Sequence, residues 1–173
     1  MSAIEVSYNW SEKEYLEAAD QNSRFGENKS KDKLVAMVVG VLIVLSLFMM
    51  MQRGFEPADS MAFFLAIYWF VLRKRLHNNL LRKRFLKSDQ KDKKISLSIS
   101  DEVINAQTEG QPEGTFDWSS VTKVVRSAKG FLMYRGGNYI WLPNTAFAVS
   151  EEVEQFAALS ERKAGQFVDK SAA

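Results

Sequence analysis

The chain has 173 residues, a formal net charge of +2 at pH 7 and a hydrophobic share of 46%. This length allows one modest folded domain with an additional segment, and the average hydropathy is ordinary for a soluble protein. The absence of cysteine excludes disulfides, thiolate nucleophiles and cysteine metal sites. It is typical of a chain whose folded part stays in a reducing cytoplasm.

The first residues predict a strand followed by a helix. Apolar and polar residues alternate over 4–9, which is the pattern of a half-buried strand. Ser11 and Glu14 have the spacing of a capping box, and Trp10 and Tyr15 are placed for a hydrophobic staple. We therefore expect a strand and an amphipathic helix before the first apolar block.

The block 34–51, with the sequence LVAMVVGVLIVLSLFMMM, contains no charged residue. As a helix it would span ~27 Å, close to the ~30 Å hydrocarbon core of a bilayer. A cleaved signal peptide would place its apolar stretch nearer the N-terminus and follow it with small residues. The sequence therefore predicts a membrane helix that is retained.

A second, shorter apolar block covers 60–72. Thirteen uncharged residues alone suggest a re-entrant or buried segment, but Pro57 suits the first turn of a helix. A helix over 57–72 would cover ~24 Å, and Arg73 could extend its charge to the headgroups. We predict a second membrane crossing here.

The distribution of basic residues predicts the orientation of this hairpin. Lys29, Lys31 and Lys33 precede the first block, and Arg53 lies between the two blocks. Six basic residues follow the second block: Arg73, Lys74, Arg75, Arg82, Lys83 and Arg84. By the positive-inside rule both termini are cytoplasmic. The sequence therefore predicts a protein that crosses the membrane twice.

The six basic residues are also the candidate site. Leucines at 72, 76 and 80 have helical spacing, which predicts a cytoplasmic extension of the second helix to about residue 85. Attraction to anionic lipid headgroups is the interpretation that requires the fewest assumptions, because each Lys or Arg near an anionic leaflet contributes about 1 kcal/mol. Recognition of one headgroup is an alternative. Nucleic-acid binding is not expected, since only Phe85 interleaves an aromatic ring.

Packing within the hairpin can be sketched from an antiparallel alignment. A turn near Gly54 would set Gly40 opposite Phe70 and Ala66 opposite Val44, so that small residues face large ones. The small residues at 36 and 40 could instead form a homodimer face, which leaves a homo-oligomer open.

From residue 94 the pattern changes to the alternation of strands, beginning with KISLSIS. Further strands are predicted at 102–108, 115–118, 121–127, 131–135 and 139–143. A helix follows, with Ser150 as N-cap and Val149, Val153, Phe156 and Ala157 on one face. Residues from Gly165 onward are expected to fray.

These elements predict an α+β membrane protein: a two-helix transmembrane hairpin with a cytoplasmic antiparallel β-barrel or sheet and a C-terminal helix. Because both ends of the chain are cytoplasmic, the first strand can join the later ones, which suggests a small barrel of pleckstrin-homology type. The predicted divisions are 1–28, the hairpin 29–72, a basic extension and linker 73–93, the β domain 94–165 and a flexible tail 166–173.

The stretch FDWSSVTKVVRSAKGFLMYRGGNYIWLPNTAF, with Trp118, Val121, Pro143 and Phe147, resembles the YcxB-like bacterial membrane proteins. The resemblance implies an inner-membrane protein with a pleckstrin-homology-like cytoplasmic domain. It implies no catalytic residues and no agreed function.

No catalytic, cofactor or metal site is predicted. His77 lies among basic residues with no partner for a triad, and the pairs Asp101–Glu102 and Glu56–Asp59 indicate a turn and an external loop. The aromatic residues of the strands are interpreted as core, with a ligand pocket as the less favoured alternative.

Two classes of function remain. The first is a non-catalytic binding or regulatory module that recognises an unknown protein partner, with an immunity protein against a membrane-directed toxin as a specialised version. The second is an accessory subunit of a transport complex or a pore, which the charge-free spans disfavour.

Overall fold

A computed structural model describes residues 3–26, 29–54 and 56–172. Its contacts divide the chain into two units. Met1–Asn22 and Lys87–Ala173 form the β unit, and Ser23–Leu86 form the helical unit. Three basic residues used for the predicted hairpin orientation have side chains outside the described part: Lys29, Lys31 and Arg53.

In its described residues, the β unit has eight strands in two four-stranded sheets. The first sheet has the order β1 (Ile4–Asn9), β2 (Lys94–Ile99), β3 (Val103–Thr108) and β4 (Gly114–Asp117), all antiparallel. The second sheet has the order β7 (Asn138–Pro143), β6 (Gly130–Arg135), β5 (Val121–Ser127) and β8 (Phe167–Lys170).

The two sheets do not form the closed barrel that the sequence suggested. After β4 the chain enters a 3-10 turn at Trp118–Ser120 and begins the second sheet at β5 instead of extending the first ladder. The other edge of β5 is occupied by β8, which pairs with it in parallel. The α+β class and the antiparallel pairing of the predicted strands are confirmed, whereas the predicted closure of these strands into a barrel is wrong.

Strand β1 confirms the predicted N-terminal strand, and its partner is β2. The pairing runs from Ile4 opposite Ile99 to Asn9 opposite Lys94. It continues for one further step, because the Trp10 N–H donates to the Lys93 carbonyl at 2.8 Å. The segment 11–92 is therefore an insertion between two adjacent antiparallel strands.

Helix α1 (Glu12–Phe25) begins as predicted. The Glu14 N–H donates to Ser11 Oγ at 3.3 Å, and the rings of Trp10 and Tyr15 meet edge to face at 5.9 Å. The Glu14 carboxylate does not complete the capping box, since it accepts a hydrogen bond from Trp141 Nε1 at 2.9 Å. This contact anchors α1 to β7.

The core lies between the sheets and helix α5 (Ser150–Lys163). Phe156 is fully buried, with its ring 4.8 Å from that of Phe131 and 5.8 Å from that of Phe147. Trp118 packs beside it and donates from Nε1 to the Ser100 carbonyl at 2.8 Å. The predicted C-terminal helix over the sheet is thus confirmed.

Two details of the C-terminal region differ from prediction. The N-cap of α5 is Val149, not Ser150; Val149 has an extended backbone and is 52% exposed. The strand Phe167–Lys170 replaces part of the predicted fraying tail: Phe167 packs against the core, and β8 pairs with β5. Backbone bonds at Gly165 and Gln166 guide the chain onto that edge.

The helical unit contains α2 (Lys29–Arg53), α3 (Pro57–Ile67), a π-helical turn (Tyr68–Leu72) and α4 (Arg73–Leu86). Within the described residues, a single helix is long and apolar enough to cross a membrane, at Lys33–Gln52. The second predicted span is divided, because the π turn ends α3 after 11 residues. The predicted helical extension is confirmed by α4.

Candidate membrane-surface site

The apolar side chains of α2 and α3 are mostly exposed. Only 6% of the apolar window in α2 is buried, whereas the core helix of a soluble protein is mostly buried. The most exposed of the large apolar residues are Leu34, Met37, Val44, Phe48, Met51, Met61, Phe64 and Phe70. A continuous apolar surface of this kind marks a membrane or protein interaction region.

Helices α2 and α3 leave an open groove of about 640 Å³ between them. It is lined by Leu42, Leu45, Ser46, Met49, Met61, Phe64 and Leu65. The predicted packing of small residues against large ones is wrong in detail, because Phe70 and Val44 are 68% and 65% exposed. A Cβ added at Gly40 would meet no atom within 4 Å, so Gly40 marks no close helix contact.

The π turn explains why Phe70 is not packed against α2 as the antiparallel alignment predicted. Phe70 lies in the π turn, and a turn closed by i→i−5 hydrogen bonds contains more residues than an α turn. The side chains in and after it are therefore rotated relative to the regular helix assumed in the alignment. Val44 lies on a different side of α2 from the half-buried Ile43 and Ser46.

All six predicted basic residues lie on α4. At 3.6 residues per turn they are distributed around the whole circumference, so that α4 has no separate basic face and apolar face. Leu76 and Leu80 are 47% and 56% exposed. A helix lying flat on a membrane needs two distinct faces, whereas one standing through the headgroup layer does not.

Arg73 differs from the other five residues. Its guanidinium carbon lies 4.2 Å from the centroid of the Trp69 ring, and both side chains are half-buried. The remaining five are exposed: Lys74, Arg75, Arg82, Lys83 and Arg84. The site thus combines one ordered arginine with a group of solvent-exposed charges.

The residues considered for catalysis belong partly to the helical unit and partly to the β unit. His77 is exposed on α4, and Glu56 is exposed before α3. Asp101 lies 4.0 Å from Arg162, in the β unit. In the described part of the chain, no group of three or more potential ligand residues is placed to hold a metal ion.

The aromatic residues of the strands serve as core. Trp118, Phe131 and Trp141 are buried, which agrees with the favoured interpretation. Tyr134 is buried against α1 and donates from its hydroxyl to Asn22 Oδ1 at 2.8 Å. Burial also raises the pKa of Tyr8, whose hydroxyl donates to the Trp141 carbonyl.

One polar cluster of the β unit was not predicted. Arg126 donates to both carboxylate oxygens of Glu154, with Nη1 2.9 Å from Oε2, and lies 3.6 Å from Asp169. The hydrogen bond from Arg126 lowers the pKa of Glu154. The pKa of Asp169 is lowered by hydrogen bonds from Ser171 and then by Arg126. The cluster therefore joins β5, α5 and β8.

A shallow cleft of about 370 Å³ adjoins this cluster, between Arg126 and the start of α5. Because two carboxylates already hold the guanidinium, the cleft offers little uncompensated positive charge to an anion. The arrangement supports a structural role. Its members are far apart in sequence and belong to no motif, so sequence analysis had no signal with which to find it.

The family model described as YcxB-like protein matches residues 99–160, just over a third of the chain. No curated protein and no solved structure matches significantly. The matched segment contains Trp118, Val121, Pro143 and Phe147, and all four are buried. The predicted resemblance to YcxB-like proteins is therefore confirmed over this segment, where it rests on core residues of the β unit.

Proposed function

We propose that the protein is a membrane-anchored, non-catalytic binding module of a bacterial inner membrane. Its two spans are α2 and the continuous helical run from Pro57 to Leu72. The β unit and both termini lie in the cytoplasm, where the β unit binds a protein partner. Lys and Arg residues of α4 attract anionic headgroups.

The pairing of β1 with β2 carries this proposal. The two strands are neighbours in one sheet, so Asn9 and Lys94 must lie on the same side of any membrane. The inserted segment between them can therefore cross only an even number of times. If α2 crosses once, the chain must return before Lys94.

The return is best made by the helix that begins at Pro57. No break in helical structure separates α3, the π turn and α4 over Pro57–Leu86. The part before Arg73 covers ~24 Å at 1.5 Å per residue and contains no charge after Asp59. Within this part, the π turn follows α3 after 11 residues and continues the helical run to Leu72.

The arrangement of the β unit supports a pleckstrin-homology-like binding module. A four-stranded antiparallel sheet, the antiparallel strands β5–β7 and a C-terminal helix enclose one core. Strand β4 pairs with β3, and the described ladders leave its other edge available. A partner segment could add a strand there, because backbone hydrogen bonds give affinity in this mode of recognition.

Single cysteines test the topology, since the natural chain has none. Glu56→Cys and Ser60→Cys should react with an impermeant thiol reagent in cells whose outer membrane is permeabilised and whose inner membrane is intact. Ser171→Cys should react only after the inner membrane is opened. Labelling of Ser171→Cys in intact cells would disprove the hairpin, and recovery of the unmodified chain in the soluble fraction would disprove the anchor.

A further inference from the structure

Strand β8 covers one edge of β5, and among the strand pairs of the described residues this pairing alone is parallel. Val124 is paired with Phe167, and Arg126 is paired with Asp169. Val124 is fully buried, so β5 is a core strand, whereas β8 has only four residues. A short segment that follows α5 therefore occupies the edge of a core strand.

The link 164–166 carries the chain from α5 to this edge. The Val124 N–H donates to the Gln166 carbonyl at 2.8 Å, which sets the start of the parallel pairing. A Cβ at Gly165 would lie 2.8 Å from the Thr122 carbonyl oxygen, so the close approach of the link to β5 requires glycine. Strand β8 is thus tethered beside the edge that it covers.

Two side chains attach β8 to the rest of the β unit. Phe167 is half-buried and packs against the core. Asp169 lies 3.6 Å from Arg126, and its side chain is 45% exposed. An ion pair so accessible to water contributes little to stability. The attachment therefore depends mainly on the backbone pairing of four residues and on one half-buried ring.

We propose that β8 is a displaceable strand, and that the protein partner of the β unit adds an extended segment to β5 in its place. This inference rests on the binding role proposed above and names the chemistry of the partner. The segment carries a large apolar residue at the position of Phe167 and a carboxylate two residues later, at the position of Asp169, where Arg126 receives it. Backbone hydrogen bonds to β5 give affinity, and these two side chains give specificity.

The tether makes the covered edge the resting state. A segment on a short flexible link has an effective concentration of about 1 mM at its own site. If the same segment supplied as a free peptide has a dissociation constant of about 100 μM for the open edge, the tethered copy weakens its binding about tenfold. A partner must therefore bind more tightly than β8, and loosening of β8 favours the partner.

The first test measures binding of a fluorescent peptide with the sequence of residues 165–172 to the detergent-solubilised chain. A variant that lacks residues 165–173 should bind the peptide about tenfold more tightly than the parent chain. Asp169→Lys in the full chain should bind it about threefold to tenfold more tightly, because a second cation beside Arg126 loosens β8. The control Lys170→Ala should differ from the parent by less than about twofold. Asp169→Lys supplies the answer if the truncated variant does not fold, and peptide binding no tighter than that of the parent would overturn the proposal.

A disulfide between β5 and β8 creates the opposite condition. Val125 and Val168 are paired, and the natural chain has no cysteine, so Val125→Cys with Val168→Cys introduces a single thiol pair at a distance suited to a disulfide. The oxidised chain should not bind the peptide, whereas the reduced chain should bind it as the parent does. Equal binding in the two states would overturn the proposal. A disulfide-linked dimer would assign the edge to β8 of a second copy and overturn the assignment to a partner.

Changes in the peptide test the proposed side-chain pattern. With the truncated or Asp169→Lys chain, a peptide carrying Asp169→Lys should bind about tenfold more weakly than the natural sequence, and one carrying Lys170→Ala less than about twofold more weakly. Equal affinities of the two altered peptides would overturn the pattern. A truncated chain that unfolds cooperatively and does not bind the natural peptide removes this edge alone. The hairpin is judged separately by cysteine labelling, and the binding role would then belong to another surface of the β unit.

Discussion

The β unit buries its large apolar side chains, whereas the helical unit leaves most of its large apolar side chains exposed. Phe156 and Leu97 in the β unit are 0% and 1% exposed, whereas Phe48 and Leu34 in α2 are 57% and 63% exposed. Water penalises exposed apolar surface by roughly 25 cal/mol per Å². The proposed membrane anchor would account for this contrast, and the predictions below are arranged to break or sharpen it.

Removal of the helices should have the largest effect. A variant in which residues 26–87 are replaced by a Gly/Ser linker of about 15 residues should move from the membrane fraction to the soluble fraction and still unfold cooperatively. The linker must return along the ~21 Å length of α1, and 15 flexible residues have a root-mean-square span of ~22 Å.

Fractionation followed by thermal unfolding measures this outcome. Continued sedimentation of the variant with membranes would place the anchor outside α2–α4. Soluble aggregates that lack a cooperative transition would show that the β unit requires the helical unit in order to fold.

Truncation of one phenylalanine in each unit should separate the two environments. Phe156→Ala leaves a cavity among Phe131, Phe147 and Trp118, and should lower the free energy of unfolding of the β unit by about 3–5 kcal/mol. Phe48→Ala removes an exposed ring and should change it by less than about 0.5 kcal/mol. Thermal unfolding of the detergent-solubilised chain measures both. Similar losses in the two variants would contradict the division into units.

A charge introduced in the middle of α2 should show whether this helix is surrounded by lipid or by water. Val44→Arg introduces a cation at a position that is 65% exposed, and at the centre of a membrane helix it should disfavour insertion by about 2.5–3.5 kcal/mol. This corresponds to a roughly hundredfold change in the insertion equilibrium, with Val44→Leu as the control. Integration into inner-membrane vesicles during translation is the measurement. An unchanged yield for Val44→Arg would mean that α2 faces water.

The smallest expected effect concerns pH and is confined to the β unit. The pKa values of Glu154 and Asp169 are lowered in the folded chain, so both carboxylates stabilise it above their ordinary values of 4.5 and 3.8. That contribution is lost as the pH falls through the lowered values. The free energy of unfolding should therefore decrease below about pH 4.5, and less steeply in Arg126→Met.

Thermal unfolding over this pH range checks the slope, with Glu161→Gln as the control for removal of a carboxylate from α5. A slope that Arg126→Met leaves unchanged would assign the dependence to other groups.

Local patterns predicted most of the elements. Alternation over 4–9 predicted β1, and the spacing of Ser11 and Glu14 predicted the start of α1. Gly136 and Gly137 form the two-residue turn between β6 and β7, with φ values of 53° and 86° that favour glycine. These features depend on neighbouring residues, which is why a single sequence is sufficient to predict them.

Long-range pairings were missed. Strand β8 has only four residues and is ordered by its pairing with β5, more than forty positions earlier. Arg126 meets Glu154 across 28 residues, with no motif to link them. The six basic residues were predicted as a group, but the π turn that distinguishes Arg73 has no recognised sequence signal. Such contacts are decided by tertiary packing.

The pairing of β1 with β2 also means that β1 must wait during synthesis for its partner strand. Asn9 and Lys94 are partners, so β1 leaves the ribosome 85 residues before the strand that it needs. At about 5–20 residues per second this delay is ~4–17 s. Both apolar helices emerge within that interval, while the first sheet is still incomplete. In the proposed topology, membrane integration therefore precedes closure of the β-unit core, and strand β1, with Ile4 and Val6, stays without its partner strand until β2 has been synthesised.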